Sequence, residues 1–316
     1  MRLARAIGLR LFYGLLSLLF ITFVTFIANE AAPGDPATVF AGEKASLQDI
    51  ARVRHRMGLD RAWYVRYGES LWNDLHFDFG ESYYGTQEPV ANILKRDLPM
   101  TLGLSLLAIL LAAGVGILLG TIGAIYEHKF ADKAVLSIST LGVTLPNFVL
   151  APLFVYIFAM KLNRLPQNWE VERVAPLWYY LLMPVVVLAA RPMASLTRLT
   201  RASMIETLRQ EFIRMAIAKG VPTWRLITKH ALRNAILPVV TSIGTSFGYL
   251  LTGSFVVETF FTMPGIGRET INAIQKHDYP IVQACILVTG MMFVVLNMVV
   301  DVILPILDPR IREAQV

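Results

Sequence analysis

The chain has 316 residues, 55% of them hydrophobic and 16% charged, with a mean hydropathy of +0.54. Soluble domains carry about 25% charged residues, so this composition excludes an ordinary soluble enzyme and indicates a polytopic membrane protein. The formal net charge is +6, and the single cysteine, Cys285, excludes an intrachain disulfide.

Arg2, Arg5 and Arg10 precede an apolar run over residues 11–28. The run is longer than a signal-peptide core of about 7–15 residues, and no small-x-small site follows it. It reads as an uncleaved first span. Residues 29–98 are polar, with 11 acids and 8 bases. Turn chemistry opens the region at Pro33-Gly34-Asp35-Pro36. Trp63, Tyr64, Tyr67, Trp72, Phe77, Phe79, Tyr83 and Tyr84 give it aromatic surface. It is thin for an independent core and reads as a small helical cap on the outer face.

Residues 99–125 form a second span. Gly116 and Gly120, with Ala124, repeat small residues at every fourth position, which lets helices approach closely in lipid. A turn over 126–133 leads to a third span, about 134–160. Thr144-Leu145-Pro146-Asn147 lies near its centre. A proline there removes a backbone hydrogen bond and kinks the helix. Two readings stand: an accommodated kink, or freed groups of Pro146 and Asn147 lining a pathway.

Residues 161–176 form an outer loop. The fourth span, about 177–190, is short and extends toward Leu199. Residues 191–233 then carry nine basic side chains against Glu206 and Glu211, a net of +7. A block this basic between spans stays in the cytoplasm. Its middle reads as two short helices broken at Gly220-Val221-Pro222, since glycine suits a helix C′ position and proline stops the helix soon after. Phe212, Ile213, Met215, Ala216, Ile217 and Ala218 form an apolar knob beside Arg214 and Lys219. The segment suits either a topological anchor or a docking surface for a cytoplasmic partner. After the break, Trp224, Ile227 and Ala231 share one helical side and Arg225, Lys229 and Arg233 another, an amphipathic helix at the inner lipid surface.

A fifth span covers about 235–256. The next outer loop, 258–280, opens with Glu258 and holds Met263-Pro264-Gly265-Ile266-Gly267. An ionisable residue in or near a span is costly and often functional, so Glu258 is a candidate solute contact. The alternatives are pairing with Arg268 or a plain interfacial position. A sixth span runs about 281–304, with Asp301 near its end.

Six spans put both termini on one side. The short loops and termini on that side hold 16 Lys/Arg, against 5 in the two short loops opposite. Both termini are therefore expected in the cytoplasm. No Gly-x-x-x-x-Gly-Lys-Ser/Thr loop, His-Glu-x-x-His or Gly-x-Ser-x-Gly occurs, and no histidine pair has metal-ligand spacing. No catalytic or metal-binding residue is expected.

The run Glu211-Phe212-Ile213-Arg214-Met215-Ala216-Ile217-Ala218-Lys219-Gly220, with His230-Ala231-Leu232-Arg233-Asn234-Ala235-Ile236-Leu237-Pro238, resembles the EAA loop of ABC-importer permeases. It looks most like the first permease of the oligopeptide/dipeptide/nickel branch. The general Glu-Ala-Ala falls here on Arg214, Met215 and Ala216, so only Ala216 and Gly220 match. Leu237-Pro238 comes five residues after the usual place. Both departures are usual in the peptide branch. Pro33-Gly34-Asp35-Pro36, Leu165-Pro166, Pro264-Gly265-Ile266-Gly267 and Asp308-Pro309-Arg310 are also similar to the family, so the likeness covers nearly the whole chain.

The resemblance implies an all-α type I importer fold of six transmembrane helices in the bacterial inner membrane. It implies a division into residues 1–98, a first helix plus external region, and 99–316, the permease core with its coupling loop at 191–233. The implied partners are a second permease, two cytoplasmic ATPases, an external solute-binding protein and a peptide or similar solute. No cofactor is implied on this chain; ATP and Mg belong to the ATPases. The implied ATPase-coupling residues are Glu211, Phe212, Ile213, Arg214, Met215, Ala216, Ala218, Lys219 and Gly220. Candidate pathway residues are Pro146, Asn147, Glu258, Pro264, Gly265 and Gly267. Two rivals stand beside this reading. A secondary transporter would show repeated halves and ionisable residues in mid-membrane. A membrane scaffold or receptor would bind partners without solute flux.

Overall fold

In lipid every backbone polar group must be satisfied within the segment, and the apolar runs of this chain all take the helical solution. The computed structural model describes residues 2–32, 34–42, 45–84, 87–170 and 175–307, with side chains of 2–7 and 301–307 left aside. Pro33, the side chains of Arg2, Arg5 and Asp301, and the motif at 308–310 lie outside that description. Among the described residues there is no strand, only an isolated antiparallel bridge between Glu81 and Pro89. Five helices are long and apolar enough to cross a membrane, and a sixth crossing exists if one sharply bent helix pair counts as a span.

One compact unit combines Met1–Thr101 with Met263–Val294. It contains α1 (Arg2–Ala31), α2 (Pro36–Ala41), α3 (Leu47–Arg56), α4 (Trp63–Leu75) and the start of α5 (Val90–Ile125). It also holds α13 (Ile266–Lys276) and the first part of α14 (Tyr279–Leu307). The short helices begin where the sequence supplies caps. Asp35 accepts from the Ala37 amide at 3.1 Å with Pro36 at the first helical position, and Ser46 and Asp49 form a capping box. Its core joins Val90, Ile93 and Leu94 of α5 to Ile266 and Ala273 of α13 and to Ile281, Ala284 and Cys285 of α14. The segment 263–294 therefore packs with the N-terminal residues, a discontinuous grouping that a cut at residue 98 does not capture.

The second unit covers Leu102–Thr262 and Val295–Val316. Its centre is α8 (Leu177–Leu208), which packs against α6 (Phe130–Thr144), α7 (Asn147–Phe154) and α12 (Leu237–Phe260). The small-residue seam on α5 is real. A Cβ on Gly120 would lie 2.5 Å from the Thr197 carbonyl oxygen, and one on Gly116 would lie 3.1 Å from that of Met193. At Gly120 only glycine permits the backbones of α5 and α8 to come this close, and at Gly116 a Cβ would be a tight contact.

Several expectations change. The second span begins at Val90 and runs through Pro99. The fourth extends as expected and runs past Leu199: α8 has 32 residues, carries Pro184 and Pro192 within it, and takes in the first part of the basic segment. The third is not a helix kinked at a central proline. Phe130–Thr144 and Asn147–Lys161 meet at 107°, and Pro146 is the N-cap of the second helix, outside both. A proline at that place removes no helical hydrogen bond, so the argument from freed backbone groups falls. Past Pro152 the second helix widens into a π turn over Val155–Lys161. The proposed loop 258–280 is mostly helix, since α12 runs to Phe260 and α13 follows.

Candidate functional site

The end of α8 is followed by α9 (Glu211–Ala218), and the chemistry of its termination is fully local. Gly220 has φ +74°, the left-handed conformation that L side chains rarely adopt. The Gly220 amide donates to the Ile217 carbonyl at 2.9 Å and the Val221 amide to the Ala216 carbonyl at 3.1 Å. These two bonds make a Schellman motif. Val221 and Ala216 pack against the same buried cluster, giving the hydrophobic contact that usually accompanies it. Pro222 then prevents the helix from continuing.

The apolar knob divides into two faces. Ile213 is 2% exposed and packs with Ala124 of α5, Met204 of α8, Leu226, Ala231 and Ala235. Phe212 and Ala216 turn toward that cluster and are half-buried. Met215 and Ile217 are 60% and 58% exposed, with Arg214, Ala218, Lys219 and Glu211 also exposed. Phe212 thus packs inward, and the outward apolar side chains of the knob are Met215 and Ile217.

The chain beyond Pro222 does not keep a 3.6-residue period. After α10 (Thr223–Arg225) a π turn spans Leu226–Ala231, followed by α11 (Leu232–Ala235). The buried positions are Leu226, Ala231 and Ala235, at spacings of five and four, because a π turn places i and i+5 on one side. Trp224, assigned from helical periodicity to the apolar side, is 63% exposed, and the Arg225 guanidinium lies 5.3 Å from its ring centroid.

Two ion pairs tie the C-terminal part of α8, which leads into α9, to α6 and the turn before it. Arg201 on α8 grips Asp132 on α6 with both ends of its fork, Nε to Oδ1 at 2.5 Å and Nη2 to Oδ2 at 2.7 Å, and the pair is 18% and 3% exposed. The His128 amide adds a donor to Asp132 at 2.9 Å. Two turns further along α8, Arg209 reaches Glu127 at 2.9 Å in a more exposed pair. The Ser203 hydroxyl donates to the Ala235 carbonyl at 2.8 Å. Sequence reading passed over Asp132. Its one signal was a lone acid in the first turn of an apolar run, a costly place for a charge without a partner.

The remaining candidates lie on other elements. Pro146 is exposed and Asn147 half-buried at the helix break. Glu258 lies in the last turn of α12, fully buried, not at the mouth of a loop. Pro264, Gly265 and Gly267 form the start of α13 in the other unit. Gly265 and Gly267 are buried, and the Ile266 amide donates to the Thr101 hydroxyl at 3.0 Å. That motif packs a helix N-terminus into a core.

Comparison with known proteins agrees along the whole chain. Residues 116–313 match the family model described as the binding-protein-dependent transport system inner membrane component, and residues 3–105 match that family's N-terminal model. A putative peptide transport system permease of Brucella abortus is 38% identical over 298 residues, covering 93% of this chain and 95% of the relative. The glutathione transport system permease of Escherichia coli K12 is 36% identical over 300 residues, covering 95% and 96%. A crystal structure of an amino acid ABC transporter with histidines superposes with a TM-score of 0.51 at 16% identity, over 65% of this chain and 90% of that one, a likeness of fold. The chain is thus an ABC-importer permease subunit, a member of the inner-membrane component family of binding-protein-dependent transport systems.

Proposed function

We propose that this chain imports peptides or similar small solutes as one of two permease subunits. It works with two cytoplasmic ATPases and an external solute-binding protein. The peptide assignment rests on the named activities of the Brucella and Escherichia relatives. In this reading both termini and α9 face the cytoplasm. ATP and its magnesium are held by the ATPases, and this chain does no hydrolysis. Nucleotide-driven closure of the ATPases moves α9 as a rigid lever and shifts the spans between inward and outward access.

The observation that carries the proposal is the construction of α9. Its inner face is sealed to α5, α8 and the 226–235 segment, while Met215 and Ile217 project outward between Arg214 and Lys219. Two apolar anchors with a charged rim suit a groove on a partner. The test is solute-stimulated ATP hydrolysis in the reconstituted complex. Met215→Asp and Ile217→Asp are each expected to weaken ATPase docking by about 2 kcal/mol or more and to abolish stimulation, with membrane insertion unchanged. Arg214→Ala should be much milder. Normal docking and stimulation in both aspartate variants would reduce α9 to a topological anchor.

A further inference from the structure

The helix α4 is inverted for an element facing water. Its inward residues are Arg66, Tyr67, Ser70, Leu71 and Asp74, nearly all polar. Its outward side chains include Tyr64 (64% exposed), Val65 (40%), Trp72 (65%) and Leu75 (67%). A water-facing helix buries its apolar stripe; this one shows the stripe to the surroundings.

Its depth follows from its contacts. The Tyr67 hydroxyl donates to the Leu19 carbonyl at 3.3 Å and lies 3.2 Å from the Thr22 hydroxyl. Its ring meets those of Phe23 and Phe26 with centroids at 5.5 Å and 5.4 Å. All four partners belong to the apolar span Gly8–Ala31 of α1. At 1.5 Å per residue, Leu19 lies about 18 Å from the end of that span, farther than a tyrosine side chain reaches. The backbone of α4 therefore runs beside the span, not beyond it. Gln283, one turn inside the span Tyr279–Val300, gives a second depth marker: its amide nitrogen donates to Ser70 at 2.5 Å and to Asp74 at 3.0 Å. Arg66 extends the other way, to Glu30 near the polar end of α1, at 2.5 Å. Tyr67 also closes a groove of about 590 Å3 along α1, lined by Leu16, Leu19, Phe20 and Phe23. The apolar surface is thus continuous from the span onto α4.

We propose that α4 is an interfacial membrane helix. Its Tyr64, Val65, Trp72 and Leu75 face contacts phospholipid at the boundary between headgroups and acyl chains, in the leaflet around the C-terminal end of α1. Tyrosine and tryptophan suit this boundary because each combines an apolar ring with a polar atom. Glu69, the outward carboxylate, is neutralised by Arg61 at 2.5 Å, which lowers the cost of placing it there. The outward aromatic side chains of α4 are then a lipid contact and not surface left to water.

The test uses the assembled complex in vesicles of phosphatidylethanolamine and phosphatidylglycerol. Nitroxide labels are placed at Tyr64→Cys and Trp72→Cys, with Arg52→Cys on α3 as the aqueous reference. The native Cys285 is fully buried, and the unmutated complex supplies the background. Power saturation with oxygen and with nickel-EDDA should give oxygen-dominated collisions at 64 and 72 and nickel-dominated collisions at 52. Nickel-dominated collisions at 64 and 72 would put α4 in water. Loss of both collision types there would put a protein, the second permease or the solute-binding protein, on this face. Either result overturns the proposal. If Trp72→Cys fails to assemble, Tyr64→Cys makes the same distinction.

Discussion

Gly220 shows how much one backbone angle decides. At φ +74° a β-branched side chain is strained even though a Cβ there would meet nothing within 4 Å, so the penalty is conformational and not steric crowding from neighbours. Gly220→Val is expected to cost about 1–2 kcal/mol and to loosen the Schellman turn that aims α9. Gly220→Asn, which tolerates the left-handed region, should be milder. Hydrogen exchange of the Val221 amide in the two variants measures the difference. Asp74 offers a pH handle at the same scale. Burial pushes its carboxyl above the usual carboxylate range, partly offset by the Gln283 amide. The folded state therefore holds the proton more tightly than the unfolded one. The stabilisation is full below the unfolded pKa and is lost as pH rises through the folded one, after which the curve is flat. Thermal unfolding of the purified protein should fall across that window, and Asp74→Asn should lessen the fall, with the Glu269 carboxyl, also pushed up by burial, supplying the rest.

Among the elements, the contact between α6 and α8 is the best candidate for a rigid joint. Asp132 is 3% exposed and takes both arms of Arg201. Removing one member of a buried pair leaves the other charge uncompensated, at a cost of about 3–5 kcal/mol. Asp132→Ala should therefore lower the unfolding temperature strongly. Replacing both at once, Asp132→Leu with Arg201→Met, should recover much of the loss, since well-packed apolar substitutes for a buried pair are often neutral. Thermal unfolding of the single and double variants checks this. If the single variant is harmless, the pair does not fix α6 to α8. The turn from α10 into α11 teaches a different lesson. The basic spacing of Arg225, Lys229 and Arg233 was legible, but the π turn was not, because one widened turn leaves the composition unchanged while rotating every later side chain. Trp224 lies before that turn, and the face it was assigned to share with Ala231 breaks at the turn between them.

For the whole molecule the expected topology follows from charge: a reporter beside Arg209 should be cytoplasmic, and one inserted at the turn of residues 58–60 should be external. Protease protection in oriented vesicles reads both positions, and a cytoplasmic signal at 58–60 would overturn the proposed orientation. The sequence alone determined that this is a helical membrane protein, where its apolar runs lie, and that a glycine turn closes a basic segment with family motifs around it. These are local properties: hydropathy sets insertion, and capping chemistry sets helix ends. Tertiary structure decided what depends on neighbours. It turned Phe212 inward and left Met215 and Ile217 outside, joined Asp132 to Arg201 across 69 positions, and packed residues 263–294 with the N-terminal region. It also laid α4 against α1 with its polar side inward. An amphipathic pattern reports that a helix has two faces; which face meets protein and which meets lipid is fixed only when the neighbouring helix supplies partners for the polar one.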